Sequence, residues 1–116
     1  MRSLKEFPDV YLHTGICDMR LGIDRLSRQV QEELERSVIA GGIFVFVSRC
    51  RKKVKLLYWD RDGYAMWMKR LEAGAFRIEK RSGYETITGV DLEEILSGTD
   101  FSRIRFRKLA AQGLSA

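Results

Sequence analysis

Two rhythms of apolar and polar residues alternate along this chain. Residues 9–14, Asp-Val-Tyr-Leu-His-Thr, alternate in polarity and include β-formers, which predicts a first strand. Gly15 turns the chain, and Asp18 is placed to accept backbone N–H groups as a cap. Ile23, Leu26, Val30 and Leu34 then recur at helical spacing, with Arg28, Gln31, Glu32 and Glu35 on the wet side. That pattern predicts an amphipathic helix ending near Arg36 or Ser37. Gly22 weakens its start, so Asp24 is a second candidate cap. Beyond Gly41-Gly42, Ile43-Phe44-Val45-Phe46-Val47 is apolar on both faces. Val54 to Trp59 follows after the basic connection Ser48 to Lys53. The two runs predict an antiparallel hairpin, its first strand near the middle of a sheet and beneath a helix, with Lys55 at the solvent face.

Asp60-Arg61-Asp62-Gly63 is a turn signal. Tyr64, Trp67, Met68 and Leu71 recur at three and four residues, which predicts a short helix ended by Gly74, with a strand as the alternative. Phe76 to Lys80 reads as a short strand, followed by a turn at Arg81-Ser82-Gly83. Thr88 lies three residues before Asp91, close to a capping box, and Leu92, Ile95 and Leu96 give the next helix its buried stripe, ended by Gly98. The expected fold is α+β: a small antiparallel β-sheet with packed helices in a single domain, residues 1–101, followed by a basic C-terminal tail, residues 102–116. Its core is expected to draw on Leu12, Leu26, Val30, Leu34, Phe44, Phe46, Leu57, Trp59, Trp67 and Leu71.

With 116 residues, 45% of them hydrophobic, the chain can bury one core without covalent staples. It has no apolar run of membrane-spanning length, and its first residues carry no secretory h-region, so a cytoplasmic protein is expected. Cys17 and Cys50 read as reduced thiols; with His13 they match no common zinc spacing. His13 sits inside a strand with no evident catalytic partner and reads as structural. Cys50 lies among Arg49, Arg51 and Lys52, which favour a thiolate, yet a basic turn explains it equally well. A small metal-dependent nuclease would need Asp18, Asp60, Asp62 and Asp100 to converge, and turn and cap positions already account for most of these acids. No phosphate-cradling glycine loop is present. The chain is therefore expected not to be an enzyme, with no catalytic residues, metal or cofactor.

The formal net charge of +5 favours acidic partners, and the placement of the charge sharpens that. Arg49, Arg51, Lys52, Lys53 and Lys55 cluster on one hairpin, whose tip could grip phosphates or could serve solubility alone. Arg103, Arg105 and Arg107, with Lys108, form a second candidate phosphate surface; in a strand, the odd-numbered arginines would share a face. Trp67, Lys69, Arg70 and Glu72 are a candidate protein-partner surface, or simply one side of the short helix.

Gly15-Ile16-Cys17-Asp18-Met19-Arg20-Leu21-Gly22, followed by Leu26, resembles the opening signature of the TnpB-type accessory proteins, encoded by the second reading frame of the insertion-sequence family numbered sixty-six. Phe44-Val45-Phe46 before a basic turn, Lys55-Leu56-Leu57-Tyr58-Trp59-Asp60 leading into Gly63, Lys69-Arg70-Leu71-Glu72 with Gly74 and Phe76, and Leu96-Ser97-Gly98-Thr99-Asp100 extend the resemblance over about residues 9 to 101. These proteins are unrelated to the RNA-guided nucleases that share the TnpB name. The resemblance implies a non-catalytic role in transposition beside a separate transposase, with element DNA, the transposase, or both as partners. A pure protein-interaction module that organises the transposase is the alternative. The chain departs from the family pattern at Arg77 and Ile78, where tryptophan and proline are frequent, and at its two cysteines.

Overall fold

The computed structural model describes residues 4–7, 9–76, 83–97 and 107–108. Its strands are β1 (Val10–His13), β2 (Ile43–Val47), β3 (Lys53–Asp60), β4 (Gly63–Arg70), β5 (Tyr84–Ile87) and the two-residue β6 (Arg107–Lys108). The helices are α1 (Ile23–Leu34) and α2 (Gly89–Leu96), with short 3-10 turns at Leu4–Glu6 and Val38–Ala40. The fold is α+β, as the patterning indicates. Its sheet, however, is mixed, in the order β4-β3-β2-β1-β5-β6. β1 and β2 run parallel, with Tyr11 beside Phe44, and every other neighbouring pair is antiparallel. The expected antiparallel sheet thus carries one parallel pair, because α1 lies between β1 and β2. A strand-helix-strand unit carries the chain back to start the second strand in the same direction.

Successive side chains of a strand point to opposite faces, and each face of this sheet has its own core. On one side Tyr11, Phe44, Phe46, Leu57 and Tyr84 pack beneath Leu26 and Val30 of α1, with Leu34 and Trp59 at the margin. On the other, Val10, Leu12, Val45, Leu56 and Ile87 meet Leu92 and Ile95 of α2, Leu4 of the first 3-10 turn and Phe7 just after it, with Trp67 and Leu71 packed alongside. All five residues of β2 are buried, the two-sided burial its unbroken apolar run requires.

Local chemistry sets the ends of the helices. Gly22 is the N-cap residue of α1, with no side-chain cap bond, and the helix stops at Leu34 because Glu35 takes a left-handed conformation (φ 53°). The expected stop near Arg36 or Ser37 is therefore slightly late. Asp18 caps its own turn instead: its Oδ1 accepts from the backbone N–H of Arg20 at 2.9 Å. Thr88 and Asp91 form the capping box of α2, each side chain bonding the other's backbone N–H.

Two further expectations are corrected. Tyr64 to Leu71 is not a helix: residues 63–70 form strand β4, joined to β3 by the two-residue turn Arg61-Asp62. In β4 the odd-numbered residues are half-buried while Tyr64, Met68 and Arg70 are exposed; because two of those exposed residues are large hydrophobics, the period-two signal is blurred in the sequence and an accidental match to helical spacing remains. Phe76 is buried but lies outside any strand, and residues 77–80, the rest of that expected strand, are outside the described residues, as is Gly98. Lys55 is not at the solvent face. It is 8% exposed, and its Nζ donates to the backbone carbonyls of Met19 and Leu21, each at 2.7 Å.

Candidate nucleic-acid interface

The five cations expected on the hairpin do not share one role. β2 and β3 are joined by a turn in which Ser48 N–H donates to Lys53 O, Lys53 N–H to Ser48 Oγ, and Arg51 N–H to Ser48 O. Arg51 adopts φ 63° there. The segment after β4 braces the turn from outside: Leu71 N–H donates to Lys52 O at 2.7 Å and Phe76 N–H to Arg51 O at 2.6 Å. A five-residue basic stretch that would fray in isolation is thus held on both sides by backbone bonds.

Held this way, the turn sorts its side chains. Arg49 and Lys52 are exposed, and Lys53 is half-buried at the start of β3. Arg51 turns inward: its Nη2 donates to Thr14 O at 3.3 Å, and desolvation lowers its pKa. Lys55 is committed to the carbonyls of Met19 and Leu21. The register sets Lys53 opposite Arg70, so Arg70, assigned from sequence to a protein-partner surface, extends the cationic tip. Arg70 is exposed and pairs with Glu72 at 2.9 Å. Among the described residues Arg49, Lys52 and Lys53 form no ion pair. Of the tail cations, Arg103 and Arg105 lie outside the described residues, and Arg107 stands in β6 opposite Thr86 of β5.

The four residues expected to form a partner surface are likewise divided. Trp67 and Lys69 lie on the α2 side of β4, where Trp67 packs against the core and Lys69 Nζ donates to Leu96 O at 2.9 Å. A cation at that carbonyl satisfies an orphan acceptor and suits the negative end of the helix dipole. Arg70 faces the opposite side.

The groups considered for chemistry are mostly absorbed by the fold. His13 is buried against Phe46 and Tyr84, with its Nε2 3.8 Å from Glu33 of α1. Desolvation lowers its pKa, partly offset by Glu33. Burial pushes the Cys17 thiol up to about 11 and raises the Tyr84 phenol. Cys50 is exposed, and its hydrogen bond with Ser48 lowers its pKa. Asp18 is held down at about 2 by its bonds to Arg20. Among the described residues no three His, Cys, Asp or Glu side chains gather as metal ligands; Asp100 lies outside them. A cleft of about 370 Å³ beside α1 is lined by Asp24, Arg28 and Tyr64 among others, and mixes both signs of charge. No described helix is long and apolar enough to cross a membrane.

The stretches that carry the family resemblance meet in space. Lys55, which opens one of them, binds the carbonyls of Met19 and Leu21 in another. Lys69, which opens a third, binds Leu96 in a fourth. Sequence reading missed both links because each joins a lysine to a distant backbone carbonyl, which no side-chain pattern marks.

Comparison with known proteins agrees with this resemblance. The model of the family described as IS66 Orf2 like protein matches residues 8–106. Two uncharacterized proteins of Sinorhizobium fredii (strain NBRC 101917 / NGR234) are similar. One, y4hO, is 34% identical over 93 residues, covering 79% of this chain and 81% of the relative. The other, y4jC, is 27% identical over 97 residues, covering 83% of each. No solved structure matches the chain. The chain belongs to the IS66 Orf2-like family, and is therefore a transposition-associated accessory protein.

Proposed function

We propose that this protein is a non-catalytic transposition factor that holds DNA phosphates with the tip of its β2–β3 hairpin and works beside the transposase of the same element. Arg49, Lys52 and Lys53 make the contacts, and Arg70 stands next to them. One observation carries the reading: the tip is braced by backbone bonds from two directions while its outward cations have no acidic partner among the described residues. A solubilising turn needs no such bracing, whereas a backbone already held in place loses less entropy when the side chains it carries grip a phosphate. The same bracing weighs against the pure protein-interaction module, which a disordered basic turn and an exposed patch around Trp67 and Arg70 would have favoured; of that pair Arg70 is exposed. Trp67 is instead packed against the core. Contacts of this kind supply affinity without specifying bases. The tail arginines Arg103, Arg105 and Arg107 are a second, additive source of phosphate contacts.

The test is fluorescence anisotropy with element-end and scrambled duplexes across a salt series. Each phosphate contact contributes about 0.9 to the slope of log K against log salt. Replacing Arg49 and Lys52 together by Gln is expected to reduce that slope by about 1.8 and to weaken both duplexes alike. An unchanged affinity and slope would remove the tip from the interface. A complex that forms only when transposase is added would favour the protein-interaction reading.

A further inference from the structure

Strand β4 ends the sheet, and among the described residues nothing pairs with its outer edge. Open edges of this length are usually blunted by proline, a bulge or an inward charge. β4 runs Gly-Tyr-Ala-Met-Trp-Met-Lys-Arg, with no proline and no charge before Lys69. The two-residue turn makes Asp60 and Gly63 the closing hydrogen-bonded pair, so the odd-numbered residues of β4 bond to β3. The bond from Leu71 N–H to Lys52 O continues that odd series. The backbone groups of Tyr64, Met66, Met68 and Arg70 therefore point out of the sheet. Two of the exposed large hydrophobic residues, Tyr64 (37%) and Met68 (55%), also lie on this strand.

We propose that β4 is a self-association edge, paired antiparallel with β4 of a second copy across a two-fold axis at Met66. An antiparallel pair related by such an axis keeps both strands facing the same way, so residues of like parity stand opposite one another. Centring the axis on Met66 is the choice that makes the edge complementary to itself. Tyr64 then stands opposite Met68, covering the two exposed side chains with a sulfur–aromatic contact. Ala65 stands opposite Trp67, small against large, and Gly63 opposite Lys69. Asp62, exposed in the turn, stands opposite the exposed Arg70, which is then shared between Asp62 of the second copy and Glu72 of its own chain, and the symmetry makes this opposite-charge pair twice. The competing register centred on Trp67 loses this pairing and sets the two bulky indoles against each other. In the Met66 register the sheet runs on continuously from one copy into the next. α1 reaches the inner part of β4, where Met66 packs at the margin of its core, but among the described residues no strand pairs with the outward backbone groups of β4. This inference does not depend on DNA contact by the hairpin tip.

The experiment is sedimentation equilibrium of the full chain over a concentration series, with charge-swap variants. An edge-strand contact lies at the small end of specific interfaces, so the expected Kd is on the order of micromolar. Asp62→Arg alone and Arg70→Asp alone each set like charges opposite one another twice, and each is expected to raise Kd about tenfold. The double variant restores opposite charges and is expected to return Kd to near that of the parent. Both sites are exposed, so the fold should survive each change, which circular dichroism checks. A parent chain that stays monomeric up to about 100 μM would overturn the proposal. So would a dimer indifferent to the single changes, or swaps that fail to rescue one another. A chain that is monomeric alone but loses transposase binding on Arg70→Asp would assign the edge to a different protein, and would also overturn it.

Discussion

Replacing Lys55 by Met separates a structural lysine from a DNA-binding one. In the parent, the ammonium of Lys55 donates to Met19 O and Leu21 O at 2.7 Å each, and the residue is 8% exposed. These bonds fasten the connection between β1 and α1 to the middle of β3. Methionine keeps most of the aliphatic stem, so the packing term largely cancels and the hydrogen bonds remain as the difference. A hydrogen bond to a charged group contributes about 1.5–3 kcal/mol net. Allowing water to reach one freed carbonyl, Lys55→Met is expected to cost about 2–4 kcal/mol. For a domain of this size that lowers Tm by about 8–16 °C. Urea unfolding followed by the fluorescence of Trp59 and Trp67 reads the loss directly. The parallel measurement is the salt dependence of DNA binding, under conditions where the variant is folded, where no change in slope is expected. A variant within about 0.5 kcal/mol of the parent would refute the staple, and a slope lowered by about 0.9 would show that Lys55 contacts phosphate instead.

Two other perturbations test the remaining packing. Gly42 has φ +92°, and a Cβ there would lie 2.9 Å from Tyr11 Cε2, whereas Gly41, at φ +120°, has open space. Gly42→Ala is therefore expected to destabilise more than Gly41→Ala, by about 1–3 kcal/mol in urea unfolding; equal costs would show that the Tyr11 ring yields. His13 is the chain's only histidine, and burial holds its folded-state pKa below the unfolded value of about 6.5. The unfolded chain therefore takes up the proton first, so this contribution is full above that value, falls as pH drops through it, and levels off below the folded pKa. An imidazole pKa of 6.5 or higher by NMR in the folded chain would contradict the burial argument.

The parts of the fold that were legible in the sequence are those set by local signals. The β2–β3 hairpin, helix α1 and the Thr88–Asp91 capping box each follow from residues within a few positions of one another. The parallel pairing of β1 and β2 was also within reach, since a strand, a helix and a strand in succession is its usual mark. β4 was misread because Tyr64, Trp67, Met68 and Leu71 satisfy helical spacing by coincidence, although the short turn before Gly63 is a hairpin signal. Lys55 could not be placed from its neighbours. Its polarity in an alternating run points outward, and the loop that covers it lies 34 to 36 residues earlier. For the candidate interface the sequence marked the right turn but not the division of labour within it. Arg51 and Lys55 differ from Arg49 and Lys52 only in what the folded chain brings near them.

The inner position of β1 also bears on biosynthesis. This first strand is flanked by β2 on one side and by the much later β5 on the other. Just past its end, Thr14 is tied by both its N–H and its hydroxyl to Gly83 O, 69 residues away. Nascent chain that has emerged only through β4 can form the β2–β3–β4 meander and lay α1 across it, but one side of β1 stays unpaired. Contacts this distant in sequence slow folding, and an open strand edge invites pairing between chains. Translation through β5 is therefore the step that closes β1, and chains truncated before Tyr84 are expected to aggregate rather than fold.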